Sequence, residues 1–149
     1  MSEANAEFYQ AVIDEHRRRP RNRGPLPFAQ RVARRENPAC GDLCTIQLQL
    51  DGDRIITAAF TGAGCALSQA SASLATIALT GRTSDEARTL AATIAELIRT
   101  GAENDNASPA APLGDLAALA AAHAFPARHA CALLAWQATL DALNAPPPL

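Results

Sequence analysis

Three cysteines and one aspartate carry the chemistry this chain is best equipped for. Cys40-Gly41-Asp42 and Gly64-Cys65 lie 25 positions apart, cysteine to cysteine, and Cys131 stands near the other end. Zinc accepts thiolate sulfur, at about 2.3 Å, and carboxylate oxygen in one tetrahedral set. Cys40, Asp42, Cys65 and Cys131 are therefore a reasonable group of ligands. Three thiolates and a carboxylate around Zn²⁺ leave a net negative charge that a neighbouring cation would relieve. Arg128, one helical turn before Cys131, is the candidate for that electrostatic support. The chain has no paired Cys-x-x-Cys knuckle, so spacing alone leaves buried, inert cysteines as the competing reading.

The elements between these residues bring them together. Ile46, Leu48 and Leu50 alternate with Thr45, Gln47 and Gln49, the period of a strand with one buried and one wet face. Asp51-Gly52 suits a hairpin turn that needs positive φ, and residues 54–61 form the return strand. The two ends of that hairpin hold Cys40, Asp42 and Cys65, which places them side by side. Gly62 and Gly64 permit a sharp approach into a helix over residues 65–79. Cys65 then falls at a helix N-terminus, where the dipole favours a thiolate. Cys44 shares parity with Ile46 and Leu48 and is expected in the core, with an alternative role as a ligand displacing Asp42. His129, two before Cys131, is the lesser ligand candidate, and His123 is expected at the surface or in packing.

The remaining segments read as helices with one strand. Residues 6–18 put Phe8, Tyr9, Val12, Ile13 and His16 on one broad face, and Pro20 ends the helix. His16 is expected to cap or pack there. Residues 31–35 predict a short edge strand whose charges discourage further pairing. In the helix after Cys65, Leu67, Ala70, Ser71, Leu74, Ile77 and Ala78 share a face. Thr83 and Glu86 have capping-box spacing, with an apolar stripe from Ala87 to Ile98 and a stop at Gly101. Residues 101–112 read as a polar loop, and Leu113-Gly114-Asp115 opens a short Ala/Leu helix. Phe125-Pro126 starts the last helix, whose core face would be Leu133, Trp136, Leu140 and Leu143.

The length of 149 residues suits one domain over 1–149, with 1–5 and 145–149 outside the ordered part. No apolar run is long enough to cross a bilayer, and the N-terminus lacks the order of a signal peptide, so a cytoplasmic setting is expected. There, thiols stay reduced, which favours metal or sulfur chemistry over disulfides. Every basic residue is arginine, eight against four acids in residues 1–35 and five against eleven beyond. This polarity suits docking to a protein with a complementary patch. Nucleic acid is disfavoured by the acidic balance and the lack of interleaved aromatics.

Several motifs together resemble one family. They are PRNRG (20–24), NPACGD (37–42), LDGD (50–53), GAGCALSQASAS (62–73), LGDLAAL (113–119) and FPARHACALLAW (125–136). With this order and spacing the chain resembles the SufU branch of the iron–sulfur cluster assembly scaffold family that includes IscU and the N-terminal domain of NifU. The long segment between Cys65 and Cys131 is similar to the insertion of SufU-like members. IscU-like members have His, and SufU-like members often Lys, directly before the last cysteine; Ala130 stands there in this chain, removing a charged or ligating group. The resemblance implies an α+β fold, a small antiparallel sheet of about three strands packed against several α-helices. It also implies zinc on Asp42, Cys65 and Cys131 with Cys40 as persulfide acceptor, and a PLP-dependent, SufS-type cysteine desulfurase as sulfur donor. Arg128 would support the thiolates or meet the partner, and the basic segment 17–23 would help to dock it. The alternatives are Fe²⁺ or a [2Fe–2S] cluster on the same ligands for transfer to apo iron–sulfur proteins, and a structural zinc module without sulfur traffic.

Overall fold

The computed structural model describes residues 3–101 and 113–144. Its three-stranded antiparallel sheet, in the order β1-β2-β3, is formed by β1 (Arg31–Asn37), β2 (Asp42–Asp51) and β3 (Arg54–Ala63). β2 alternates as expected. Cys44, Ile46 and Leu48 are buried on one face, while Thr45 and Gln47 on the other are half-buried. The outer face is less wet than the alternation implies. Gln47 donates to the carbonyl of Gly24 and accepts from the amide of Leu26, so the loop after the first helix crosses it. Gly52, at φ +63, makes the β2–β3 turn. β1 is longer than its five expected residues, and its last pair is Asn37 with Asp42. A second hairpin turn, 38–41, therefore carries Cys40.

Of the helices α1 (Glu3–Arg18), α2 (Ala66–Leu79), α3 (Ser84–Thr100) and α4 (His129–Asn144), α2 and α4 pack on the sheet, while α1 packs against α2 and α3 against α4. α1 begins three residues before the expected start, in a stretch of good helix formers, so residues 3–5 belong to it. Val12, Ile13 and His16 are buried in it, whereas Phe8 is half-exposed. The Thr83–Glu86 capping box has both of its hydrogen bonds, and Gly101 ends α3 in the left-handed region. The expected short Ala/Leu helix is present over Gly114–Ala124, as a 3₁₀ helix. Its packing against α1 and α3 overrides the α preference of alanine. A 3₁₀ turn, Pro126–Arg128, follows, and α4 proper starts at His129. The expected loop over 102–112 and the expected tail over 145–149 lie outside the described residues. No helix among the described residues is long and apolar enough to cross a membrane.

Two of these helices, α2 and α4, carry Cys65 and Cys131, and their contact sets the spacing of those residues. The two helices pack against each other, and both bury small side chains: Ala70, Ala72 and Ala75 on α2, and Ala132, Ala135 and Ala138 on α4. Ser71 Oγ donates to the carbonyl of Ala132 at 2.6 Å and accepts from Trp136 Nε1 at 3.1 Å. Trp136 and Leu143 are buried as expected; Leu133 and Leu140 are only partly so. Ile77, expected on the buried face of α2, is 48% exposed, while Ser73 and Thr76 are buried. Their hydroxyls explain this inversion. Ser73 Oγ lies 2.7 Å from His16 Nδ1 and accepts from the amide of Arg21, and Thr76 Oγ1 accepts from Asn22 Nδ2. Burial, then the charge of Arg21, holds His16 below the ordinary histidine range, in keeping with a packing role. Replacing Ser71 by Ala strands the Trp136 indole N–H in a buried site. We expect a loss of about 1–3 kcal/mol in urea unfolding; an unchanged midpoint would contradict this link between α2 and α4.

Candidate metal centre

Cys40 and Asp42 are delivered by the β1–β2 turn, Cys65 by the entry to α2, and Cys131 by the first turn of α4. The Sγ atoms of Cys40 and Cys131 are 3.2 Å apart, although 91 positions separate the residues. Asp42, only 2% exposed, lies against them. Its Oδ2 accepts from the Cys40 thiol at 3.3 Å, and its Oδ1 accepts from the backbone N–H of Cys65 at 3.0 Å. One donor atom each from Cys40, Asp42 and Cys131 fall within 4.8 Å of one another, a group able to hold a metal ion. Cys65 stands beside this group. Its Sγ is 3.8 Å from Asp42 Oδ2 and accepts from the Ser68 amide at 3.4 Å, forming the N-cap of α2. A thiolate has lone pairs enough to keep that bond and still bind an ion, so the donor chemistry fits zinc or another thiophilic metal.

Glycine makes the close approach possible. A Cβ on Gly64 would sit 2.5 Å from both Asp42 Oδ1 and Ser68 Oγ. The entry to α2 can thus lie directly on the carboxylate only because no side chain intervenes.

Cys131 is buried at 4% exposure, Cys65 is half-buried and Cys40 is exposed, so the group opens to solvent at Cys40. Cys44 faces the core, and burial pushes its thiol up to about 12, which makes it inert. His129 Nε2 bonds to the carbonyl of His123, and the two imidazoles stack 6.2 Å apart. His123 in turn bonds to the carbonyl of Ile98. Arg128 is exposed, with its guanidinium 5.7 Å from the centroid of the Phe125 ring. In the basic segment, Arg21 bonds to Glu15 and Arg23 donates to the carbonyl of Gly62, three residues before Cys65.

One residue at the site and one that braces it from further away were not singled out from sequence. Asn37 directs its amide at the sulfurs of Cys40 and Cys131. Arg35 pairs with Asp141 through two hydrogen bonds, 2.6 and 3.2 Å, and so ties β1 to α4. Within the motif NPACGD, Asn37 was the available signal; the Arg35–Asp141 pair had none.

The profile of the NifU-like N terminal domain matches residues 8–132. The chain belongs to the NifU N-terminal domain family. It is 38% identical over 137 residues to the iron–sulfur cluster assembly scaffold protein IscU of Streptococcus pyogenes serotype M1, covering 92% of this chain and 83% of that one. It is also 38% identical over 131 residues to the zinc-dependent sulfurtransferase SufU of Bacillus subtilis strain 168, covering 88% and 86%. A solved structure of a candidate iron–sulfur cluster assembly scaffold of the SUF system from Fervidobacterium islandicum AW-1 superposes with a TM-score of 0.81. The identity there is 28%, over 93% of this chain and 98% of that one. The α+β architecture is thus that of the IscU/SufU/NifU family.

Burial and hydrogen bonding push the acidities of Asp42 and Cys131 in opposite directions. Burial raises Asp42, but hydrogen bonds from Cys131, the Cys65 amide and the Cys40 and Cys65 thiols outweigh it and leave the carboxyl below its usual range. Burial first, then hydrogen bonding to Asp42 and Cys40 and the negative charge of Cys65 and Asp42, raises Cys131 well above an ordinary thiol. Asp42 is therefore an anion and Cys131 a thiol, so a metal ion must displace protons to bind. Affinity for zinc should rise with pH for as long as the Cys131 thiol is protonated, with proton release on addition of zinc to weakly buffered protein. Zinc uptake with no release of protons would contradict this proton inventory.

Proposed function

We propose that this chain is a zinc-dependent acceptor of persulfide sulfur that works with a SufS-type, PLP-dependent cysteine desulfurase in iron–sulfur cluster biogenesis. The observation that carries the reading is the exposure gradient across one group of donors. Asp42 and Cys131 are enclosed, whereas Cys40, in contact with both, is open to a partner. The likeness to the sulfurtransferase SufU of B. subtilis supports it.

In this reading Asp42, Cys65, Cys131 and Cys40 hold the ion. Bound zinc would keep the sulfurs ionised near neutral pH. Cys40 is the acceptor because a bulky protein can reach its sulfur. The Cys40 thiolate attacks the outer sulfur of the partner's persulfide, and a new S–S bond forms on Cys40. The partner's own S–S bond breaks, and its cysteine departs as a thiolate with the electron pair. The chain leaves the encounter carrying one extra sulfur, and no external oxidant or reductant is needed.

Docking draws on exposed positive charge. Arg17, Arg18, Arg19 and Arg23 are exposed on α1 and the segment after it, and Arg128 is exposed three residues before Cys131 in the sequence. They suit an acidic patch on the desulfurase, with Arg128 also lending a cation to an anionic centre. These reactions belong in the cytoplasm, where thiols are kept reduced.

The likeness to the IscU scaffold of S. pyogenes favours a second reading, assembly of a [2Fe–2S] cluster on the same four residues for transfer to apo-proteins. Desulfurase stimulation by the zinc form supports the first reading. A transferable cluster after anaerobic reconstitution supports the second. For the first, Cys40→Ala should abolish ³⁵S transfer from the desulfurase and leave the far-UV circular dichroism unchanged. Undiminished labelling of that variant rejects Cys40 as the acceptor.

A further inference from the structure

Asn37 belongs to the centre yet has no place among its ligands. It is the last residue of β1 and faces Asp42, the first of β2, across the ladder, with the Cys40 turn slung between them. One side of Asn37 builds that turn. Its Oδ1 accepts from the Ala39 amide at 3.3 Å, and its main-chain carbonyl accepts from Cys40 at 3.2 Å and Gly41 at 2.8 Å. The other side addresses sulfur. Nδ2 lies 2.9 Å from Cys40 Sγ and 3.8 Å from Cys131 Sγ. An amide nitrogen carries two N–H donors, one for each sulfur.

The other neighbours of the Cys40 sulfur are electron-rich, namely Asp42 Oδ2 at 3.3 Å and Cys131 Sγ at 3.2 Å. When the thiols give up their protons to a metal, those two contacts lose their hydrogen bonds and become repulsive. The Asn37 amide stays a donor throughout. Its bonds strengthen as the acceptors become anions, because charge-assisted hydrogen bonds are roughly twice as strong as neutral ones. It therefore acts most on the metal-loaded state.

We propose that Asn37 is a positioning residue of the metal centre, whose amide holds the Cys40 and Cys131 sulfurs together at the mouth and sets how readily Cys40 leaves the ion. The inference rests on the metal-binding reading above. Groups that hydrogen-bond metal ligands typically change metal affinity by about 10–100-fold when removed.

Two variants separate sulfur donation from turn-building. Asn37→Asp keeps an oxygen for the Ala39 amide but aims a second carboxylate oxygen at the sulfurs. Asn37→Ala loses both functions. Each protein is loaded with zinc and challenged with a chromophoric chelator, and loaded in parallel with Co²⁺ to record the thiolate-to-cobalt charge-transfer band. Thermal unfolding monitors the fold. Asn37→Asp should melt like the parent yet release zinc about 10–100-fold faster, with a shifted cobalt band. If turn-building were the whole role, Asn37→Asp would match the parent and only Asn37→Ala would lose zinc quickly, which overturns the inference. Should the aspartate variant fail to fold, the uncharged Asn37→Ala decides, since a parental cobalt band in it is equally contrary. A parent protein that binds neither metal overturns the metal-binding reading itself, so the two failures are distinct.

Discussion

A carboxylate buried among three thiols is the constraint on which this structure turns. Asp42 begins β2, takes the backbone N–H of Cys65 at the entry to α2, and touches the thiol of Cys40 on the β1–β2 turn. Through Cys131 it also meets α4. Four segments distant in sequence are thereby fixed on one side chain. An anion sealed from water needs compensation, and here hydrogen bonds supply it in the absence of metal. A thiophilic cation fits the same place for the same reason, since it replaces thiol protons by a stronger partner for sulfur and carboxylate together.

The helices hold that arrangement by close packing. α2 and α4 pack together and both bury alanines, and the Ser71 hydroxyl joins the Ala132 carbonyl to the Trp136 indole in their interface. The Arg35–Asp141 pair adds a tie from β1 to the far half of α4; at its half-exposed position it is worth at most about 1 kcal/mol. Position is its larger contribution, because β1 leads directly into Asn37 and the Cys40 turn. Burial of Asp42 and Cys131 and exposure of Cys40 are two outcomes of one packing scheme. A site meant only to brace the fold would gain nothing from leaving one sulfur open.

Much of this was legible in the sequence where local chemistry sets the geometry. Strand alternation and Asp51-Gly52 fixed the hairpin, and with it the proximity of Cys40, Asp42 and Cys65. Parity alone assigned Cys44 to the core. Thr83 and Glu86 announced a capping box that the structure contains. Cys131 was reached differently, through spacing and family resemblance, since no local rule aims the start of one helix at a distant turn. Elsewhere tertiary packing overruled the pattern. α4 turns an alanine-rich face inward rather than a leucine stripe, because small residues permit approach and alanine gives a weak periodic signal. Ile77 is exposed while Ser73 and Thr76 are buried, an order explained only by partners on α1 and the loop behind it. Asn37 escaped notice because the charged run 31–37 did not reveal how far β1 pairs.

X-ray absorption at the zinc edge of the metal-loaded protein bears most directly on the convergence of Cys40, Asp42, Cys65 and Cys131 upon one ion. Three sulfur neighbours at about 2.3 Å and one oxygen at about 2.0–2.2 Å are expected, with one sulfur lost in Cys40→Ala. A first coordination sphere of oxygen and nitrogen alone, or a sulfur count unaffected by removing Cys40, would contradict it.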